Sequence, residues 1–233
     1  MAGQKSLKIL AIIQARMNSR RLPGKVLLKI NDKPLIGYLL DRLQRSTQLD
    51  GVIVATSTNE ADEPLVRYCK DRGVECFRGT LDNVADRFFQ ILEKYPMDAF
   101  VRINGDSPLL DPYLVDTACA FWRKEKYDIV TNVLKRTFPK GQSVEVLKTE
   151  IFKNYYPNML TVEDLEHVTP YFYRNASQFR IFNIEKSPDF SGFNLCVDTP
   201  EDLWRFEAIL GEMTRPFVEY RWEELVGICR HSA

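Results

Sequence analysis

Along the first 130 residues, apolar runs alternate with segments in which apolar residues recur every three or four positions. The runs are rich in Ile, Val and Ala, as buried strands are, and the recurrent spacing is that of amphipathic helices. The predicted strands are 7–15, 51–57, 74–79, 98–106 and 127–133. The predicted helices are 34–46, 61–73, 82–95 with Asp82 as N-cap, and 113–125. This repetition predicts an α/β protein with a mostly parallel, doubly wound sheet, which binds its ligand at the carboxyl ends of its strands.

After residue 133 the pattern changes to short alternating segments. We predict antiparallel strands at 143–152, 178–186 and 193–198, with a charged helical stretch at 161–175 between them. A last helix begins after Thr199, a capping residue followed by proline. No Gly/Ser-rich linker interrupts the chain. We therefore expect one domain over residues 1–233, with an embedded extension at about 133–186 that serves acceptor binding and dimerisation.

Composition excludes several classes of protein. The chain has 233 residues, 45% of them hydrophobic and 27% charged, and a formal net charge of +0. Balanced charge argues against a general nucleic-acid binder. The apolar run at 9–13 is too short to span a membrane and lacks a signal-peptide cleavage site. Five cysteines without CxxC spacing predict reduced thiols in the cytoplasm. We expect no nucleic-acid or membrane partner.

The segment IIQARMNSRRLPGK (12–25) carries several cations and no acid. The cations are Arg16, Arg20, Arg21 and Lys25. The segment follows the first strand, where a doubly wound sheet binds phosphate, but it has neither GxGxxG nor a Walker motif. Guanidinium groups bind phosphate oxygens bidentately, and Asn18 can adopt the left-handed conformation of a tight turn. A solvated basic loop is the alternative, and the position of the loop favours an anion site.

Two aspartates stand at predicted strand ends. Asp106 follows Gly105 at the end of 98–106, and Asp198 ends 193–198. Taken singly, Asp106 could cap the Ser-Pro turn after it, and Asp198 could merely precede a helix cap. Magnesium, however, takes one or two carboxylates, with water and substrate phosphates completing its shell. Together with the basic loop, the two aspartates predict a metal–triphosphate site.

Motifs found in order along nearly the whole chain then become informative. They read QARMNSRRLPGKVL, VATS, DNVADRF, VRINGDSPLLDP, EHVTPY and VDTPEDL. This set resembles the cytidylyltransferases of the spore-coat polysaccharide type, relatives of the CMP-3-deoxy-manno-octulosonate and CMP-acylneuraminate synthetases. The resemblance implies a Rossmann-like, glycosyltransferase-A type nucleotidyltransferase fold with an antiparallel extension. It also implies Mg²⁺-dependent transfer of CMP from CTP to a hydroxyl or acid group of a sugar-like acceptor, with release of pyrophosphate, by a homodimer built through 133–186.

The resemblance also implies roles for residues at matching positions. Arg16, Arg21 and Lys25 would hold the triphosphate, and Asp106 and Asp198 would hold Mg²⁺; of these, Arg16, Lys25, Asp106 and Asp198 would be catalytic. Further nucleotide contacts would come from Gln14, Ala15, Ala55, Thr56, Ser57, Asp82, Asn83, Arg87 and Asn104. The acceptor would contact Gln142, Glu145 and His167. For His167, which could also act as a base, the competing interpretation is a structural hydrogen bond to a buried carbonyl.

The chain departs from the family pattern in two places. Asn18 and Arg20 stand where members commonly have Gly and Thr. The segment PKGQSVE (139–145) stands where members often have Pro-Asp-Gly-x-Asp-x-Glu, so that Lys140 and Ser143 replace acids. If Lys140 faces the pocket, the acceptor carries extra negative charge; if Lys140 faces water, nothing follows.

Other functions stay open at the level of sequence. A nucleotide-sugar glycosyltransferase would share the fold, but that class generally uses an Asp-x-Asp element, which this chain lacks. A nucleotidyltransferase using another NTP commonly has a glycine-rich first loop. A non-catalytic nucleotide-binding module would explain the altered 139–145 segment, although it would not need two metal carboxylates.

Overall fold

A seven-stranded sheet organises the part of the chain that the computed structural model describes, residues 7–125 and 127–231. The strands in chain order are β1 (Ile9–Gln14), β2 (Lys29–Ile30), β3 (Lys33–Pro34), β4 (Gly51–Ser57), β5 (Glu75–Gly79), β6 (Ala99–Asn104), β7 (Ile129–Thr131), β8 (Glu145–Lys148) and β9 (Ile181–Asn183). The spatial order is β5–β4–β1–β6–β8–β7–β9, while β2 and β3 form a separate hairpin. Strand β8 is antiparallel to both its neighbours, and every other pair in the large sheet is parallel. The predicted fold class is confirmed.

Helices cover both faces of the sheet. They are α1 (Leu35–Leu43), α2 (Glu63–Asp71), α3 (Val84–Lys94), α4 (Pro112–Glu125), α5 (Thr149–Tyr155), α6 (Val162–His167), α7 (Pro170–Arg174), α8 (Pro200–Gly211) and α9 (Trp222–His231). Successive side chains of a strand point to opposite faces, so one sheet builds two apolar cores. Helices α1, α2, α4, α8 and α9 contribute to one core, and α3, α5 and α7 to the other. No described helix is long and apolar enough to cross a membrane.

The elements predicted up to residue 133 are confirmed, with ends shifted by a few residues. The start of α8 is also as predicted: Thr199 is the N-cap, Pro200 is the first helical residue, and Asp202 completes a capping box. The predicted cap of α3 is wrong. Asn83, and not Asp82, accepts the N–H of Asp86, at 2.8 Å.

The predictions after residue 133 need more correction. Only Glu145–Lys148 of the predicted strand 143–152 is a strand, because the chain turns into α5 at Thr149. Strand β9 is parallel to β7, not antiparallel. The helical stretch 161–175 is two helices, broken at Val168, whose φ is 71°.

The segment 193–198 is not a strand. Leu195 and Val197 are buried, which produces the alternation seen in the sequence, but the segment has only one isolated bridge, between Lys140 and Asn194. Buried alternation therefore arises here without a ladder partner. The single-domain boundary and the 133–186 extension stay predictions.

Candidate active site

A cavity of about 540 Å³ opens at the carboxyl end of the sheet, between the loop after β1, the turn after β6 and helix α6. Its lining is Gln14, Ala15, Arg16, Asn18, Ser19, Arg20, Arg21, Lys25, Val26, Val84, Arg87, Asn104, Gly105, Asp106, Glu166, His167 and Asp198. The basic loop and the two strand-end aspartates of the sequence analysis thus face one space.

Gly105 lets the loops after β1 and β6 approach each other. Its N–H donates to the carbonyl of Gln14 at 2.9 Å. A Cβ at this position would lie 2.9 Å from the Cβ of Ala15 and 3.1 Å from the Gln14 carbonyl oxygen, closer than side chains tolerate. A residue with a side chain would therefore force apart the two walls that carry the cations and Asp106.

The basic loop folds back on itself around Met17. The Met17 carbonyl accepts the N–H groups of Ser19, at 2.9 Å, and of Gly24, at 2.8 Å. The left-handed residue of this turn is Gly24, with φ of 70°, and not Asn18 as the sequence suggested. Glycine adopts that conformation without the strain that a side chain brings. Asn18 and Arg20 keep their side chains exposed at the cavity.

Asp62, which the sequence analysis did not select, anchors this loop from below. Its fully buried carboxylate accepts the N–H of Met17 at 2.7 Å, the N–H of Ser57 at 3.0 Å and the Ser57 hydroxyl. Burial alone would raise the pKa of Asp62, but these hydrogen bonds outweigh it and lower the pKa below its ordinary value. In the sequence Asp62 reads only as an acid near a helix start.

Cations join the two aspartates. The ammonium of Lys25 lies 2.8 Å from an Asp198 oxygen and 3.3 Å from an Asp106 oxygen, and Arg21 contacts the other oxygen of Asp198. Only 10% of the Lys25 side chain is exposed. The two chain segments are tied together because the N–H of Val197 donates to the Asp106 carbonyl at 2.8 Å. Asp198 therefore both precedes the α8 cap and turns its carboxylate into the cavity.

The donor set suits a magnesium ion that shares its shell with a phosphate ligand. Over the described residues there is no group of three or more His, Cys, Asp or Glu placed to hold a metal. A closed zinc site needs about four protein ligands, whereas Mg²⁺ needs one or two carboxylates and oxygens from water and phosphate. Asp106 and Asp198 fit the second description.

The other predicted nucleotide residues fall into two groups. Gln14, Ala15, Arg16, Arg87 and Asn104 line the cavity with the residues described above. Ala55, Thr56 and Ser57 are buried at the end of β4, while Asp82 and Asn83 precede α3, and none of these five is among the lining residues. Their contacts to a nucleotide stay predictions.

Arg16 and Arg87 differ in how firmly they are held. Arg16 pairs with Glu166 at 3.5 Å, and both side chains are partly exposed. Arg87 is buried and donates to backbone carbonyls, among them those of Thr80 at 2.7 Å and Ala55 at 3.3 Å. Burial lowers the pKa of the Arg87 guanidinium to about 10. Arg16 is the freer of the two cations to meet a ligand.

The predicted acceptor residues are not all accessible. His167 is exposed at the end of α6 and lines the cavity. Gln142 is fully buried, accepts the N–H of Asp111 at 2.9 Å and donates to the carbonyl of Leu109 at 2.8 Å. Glu145 is buried against Arg102 and Tyr173. Acceptor contacts by these residues stay predictions, and for Gln142 and Glu145 they would require the side chains to move.

Lys140 lies outside the cavity lining, and its side chain is exposed. The next residue, Gly141, has φ of 86°, and a Cβ there would lie 2.6 Å from backbone atoms of Leu195 and Cys196. The 139–145 segment is thus pressed against the backbone that leads to Asp198. Of the two alternatives for Lys140, the structure has the one in which its side chain faces water.

Sequence reasoning also missed Glu166 and Arg102. Glu166 adjoins His167 in the EHVTPY motif, and its charge opposite to the loop could have drawn attention to it. Arg102 interrupts the buried strand β6, and a charged residue there indicates a buried partner. That partner is Glu145 of β8.

Comparison with known proteins shows the family of the chain. The model of the cytidylyltransferase family matches residues 10–220. The uncharacterized protein MJ1063 of Methanocaldococcus jannaschii is 38% identical over 199 residues, covering 84% of this chain and 80% of its own. The spore coat polysaccharide biosynthesis protein SpsF of Bacillus subtilis is 32% identical over 211 residues, covering 86% and 85%.

Among solved structures, a cytidylyltransferase from Leptospira borgpetersenii superposes with a TM-score of 0.91 at 28% identity, covering 97% of this chain and 95% of its own. The range that the family model matches includes the basic loop, Asp106 and Asp198. Because the family model and these relatives span most of the chain, the protein belongs to the cytidylyltransferase family of nucleotidyltransferases.

Proposed function

We propose that this protein transfers CMP from CTP to a hydroxyl or acid group of a sugar-like acceptor, with release of pyrophosphate, in surface polysaccharide or glycoconjugate biosynthesis. The observation that carries the proposal is the cavity in which the cations of residues 16–25 face Asp106 and Asp198. Membership of the family supports the cytidylyl group, and similarity to SpsF supports the polysaccharide context. The homodimer through 133–186 and the cytoplasmic location stay predictions.

In the proposed reaction, Arg16, Arg21 and Lys25 bind the triphosphate oxygens. An acceptor oxygen forms a bond to the α-phosphorus while the bond from that phosphorus to the α–β bridging oxygen breaks, and pyrophosphate leaves. Asp106 and Asp198 would hold Mg²⁺, which when bound offsets charge on the phosphates. The protein supplies mainly positioning and electrostatic stabilisation, since the acceptor oxygen is itself the nucleophile.

Lys25 and Arg21 have two roles in this scheme. In the nucleotide-free protein they neutralise Asp106 and Asp198, and with CTP bound they turn to the phosphates. His167 lies exposed at the cavity edge, where it would contact the acceptor or take the proton of its attacking hydroxyl. We assign no covalent step to any residue of the chain.

The direct test of this function is a comparison of the four ribonucleoside triphosphates. We expect pyrophosphate release with CTP and a sugar acid or sugar hydroxyl acceptor, and a larger rise in melting temperature with CTP than with ATP, GTP or UTP. Only a ligand that favours the native state raises the melting temperature, so equal concentrations rank the affinities. Equal rises in melting temperature with all four nucleotides would mean that the site recognises only the phosphates, and the proposal of cytidylyl transfer would lose its support.

The basic loop provides a second test. Arg16→Ala and Arg21→Ala should each weaken CTP binding by roughly 1.5–3 kcal/mol, the cost of a lost hydrogen bond to a charged group. Isothermal titration calorimetry measures this loss. The melting temperature should hardly change, because 37% of the Arg16 side chain and 68% of the Arg21 side chain are exposed to solvent. Arg45→Ala is the matched control, since Arg45 is exposed after α1 and outside the cavity. Wild-type affinity in both loop variants would identify a merely solvated loop.

A further inference from the structure

A row of polar residues crosses one face of the sheet at its carboxyl end. Strand register places Gln14 of β1 opposite Asn104 of β6, and Arg102 of β6 opposite Glu145 of β8. Glu145 is in turn opposite Thr131 of β7. Arg102 and Asn104 are two residues apart, so they share a face. Of this row, Gln14 and Asn104 line the cavity.

Arg102 is the central residue of this row, and only 9% of its surface is exposed. Its Nε donates to Oε1 of Gln14 at 3.0 Å, and its Nη2 donates to Oδ1 of Asn104 at 3.3 Å. Its Nη1 donates to one oxygen of Glu145. These partners hold the guanidinium plane from three sides.

Glu145 is itself fixed on its far side. Its second oxygen accepts the hydroxyl of Tyr173 at 2.6 Å, and that hydroxyl lies 3.0 Å from Oγ1 of Thr131. Burial, and next the charge of Glu145, raises the pKa of Tyr173 well above its ordinary value. The phenol therefore stays protonated and donates a hydrogen bond to Glu145. One side of Arg102 is therefore fixed by residues of β7, β8 and α7 that do not line the cavity.

A guanidinium has hydrogen-bond donors and no acceptor. A carboxamide that contacts Arg102 must therefore turn its oxygen toward it, which places its NH₂ group on the other side. Gln14 and Asn104 both line the cavity, and neither NH₂ group has a hydrogen-bond partner among the described residues. Two neighbouring strand ends thus keep hydrogen-bond donors for a ligand.

We propose that Arg102 is a positioning residue, which orients the carboxamides of Gln14 and Asn104 so that both NH₂ groups donate hydrogen bonds to substrate oxygens. The proposal rests on the proposed function, because the substrate oxygens are those of the ribose of CTP or those of the acceptor. Both sources share one chemistry, that of an oxygen able to accept a hydrogen bond. The rigid row behind Arg102 keeps the donors in place before substrate arrives, which reduces the ordering cost of binding.

The first experiment uses Arg102→Lys. Lysine keeps a positive charge opposite Glu145, but a single ammonium does not reproduce the planar set of donors that meets two amides and a carboxylate. In ¹⁵N–¹H spectra we expect the Gln14 and Asn104 NH₂ groups to be ordered in the wild type and mobile in Arg102→Lys. We also expect KM for CTP or for the acceptor to rise at least about tenfold, more than kcat falls. NH₂ signals unaffected by Arg102→Lys would overturn the proposal.

The second experiment does not depend on the fold tolerating a change at Arg102. Gln14→Glu keeps an oxygen for Arg102 but has no NH₂ group, and Gln14→Met has neither. Both should weaken substrate binding at least about tenfold, and only Gln14→Met should lower the melting temperature. Wild-type binding by Gln14→Glu would contradict the proposal.

Two comparisons of substrates identify which substrate oxygen the NH₂ groups bind. If the NH₂ groups bind the ribose, both Gln14 variants should lose the preference for CTP over 2′-deoxy-CTP; if they bind the acceptor, only its KM should change. The spectra do not require turnover. Suppose that the protein does not transfer CMP, but that Arg102 orders both NH₂ groups and another nucleotide shifts their signals. That result would refute the proposed function alone. Turnover with CTP and unshifted NH₂ groups would refute this inference alone.

Discussion

Asp106→Asn and Asp198→Asn should each lower turnover by at least about a hundredfold, the scale of removing one preorganised electrostatic group from an active site. Both carboxylates contact Lys25 and face the basic loop, so each variant removes half of the proposed magnesium-binding pair. Because the two act as one unit, the double variant should be barely slower than either single one. Steady-state pyrophosphate release with CTP, Mg²⁺ and acceptor measures the loss.

The fold should tolerate both changes. Lys25 contacts both aspartates, so neutralising one leaves its ammonium paired with the other, and the asparagine oxygen can still accept a hydrogen bond. The free energy of unfolding should therefore fall by only about 0.5–1.5 kcal/mol. Neither variant should be more stable than the wild type, because the ammonium of Lys25 already offsets the repulsion between the two carboxylates. Asp71→Asn, an exposed position at the end of α2, is the matched control and should keep full activity. Full turnover by Asp198→Asn with a melting temperature several degrees lower would make Asp198 a helix-start residue only.

Asp62→Asn should cost roughly 2–4 kcal/mol of unfolding free energy, the largest stability effect that we expect from a single polar change near the site. The buried carboxylate of Asp62 accepts from the N–H and hydroxyl of Ser57 and from the N–H of Met17. An amide nitrogen cannot accept, so the asparagine would leave the Ser57 N–H without its partner. Urea unfolding at pH 7 measures the loss, with Asp71→Asn again as control.

The same carboxylate should make the free energy of unfolding depend on pH in the acid range. Hydrogen bonding lowers the pKa of Asp62 in the folded protein, so the unfolded chain binds its proton more readily. The stabilisation is therefore complete above the unfolded pKa, about 4, and is lost as the pH falls through the lower folded value. Wild-type stability should fall below about pH 4 more steeply than that of Asp62→Asn. Parallel profiles for the two proteins would show that Asp62 does not contribute its charge to stability.

The elements that the sequence predicts well are those whose cause is local. The alternation of apolar runs and helical spacing up to residue 133 follows from which side chains must be buried, and it reproduced β1, β4, β6 and their helices. The capping box of α8 is a contact between residues three positions apart. The basic loop and Asp106 were found because strand ends of a parallel sheet meet at one edge.

Packing between distant segments decided the rest. The burial of Leu195 and Val197 makes 193–198 resemble a strand, but no neighbouring strand is available to pair with it. The direction of β9 depends on where the chain re-enters the sheet beside β7, which no short pattern encodes. Gln142, predicted to contact the acceptor, is buried and holds the 139–145 segment to the turn at Leu109 and Asp111, an arrangement that its sequence position does not encode.

Residue types and order along the chain were enough to predict the chemistry of the site, since cations after one strand and aspartates at predicted strand ends are typical of a metal–triphosphate site. Its arrangement depends on contacts between residues 45 to 173 positions apart, such as Asp62 with Met17 and Lys25 with Asp198. Which carboxylate meets which cation, and which way an amide turns beside Arg102, follows from the distances and donors that the folded sheet brings together. Those are properties of the tertiary structure, because hydrogen bonds and ion pairs depend on geometry that sequence separation does not contain.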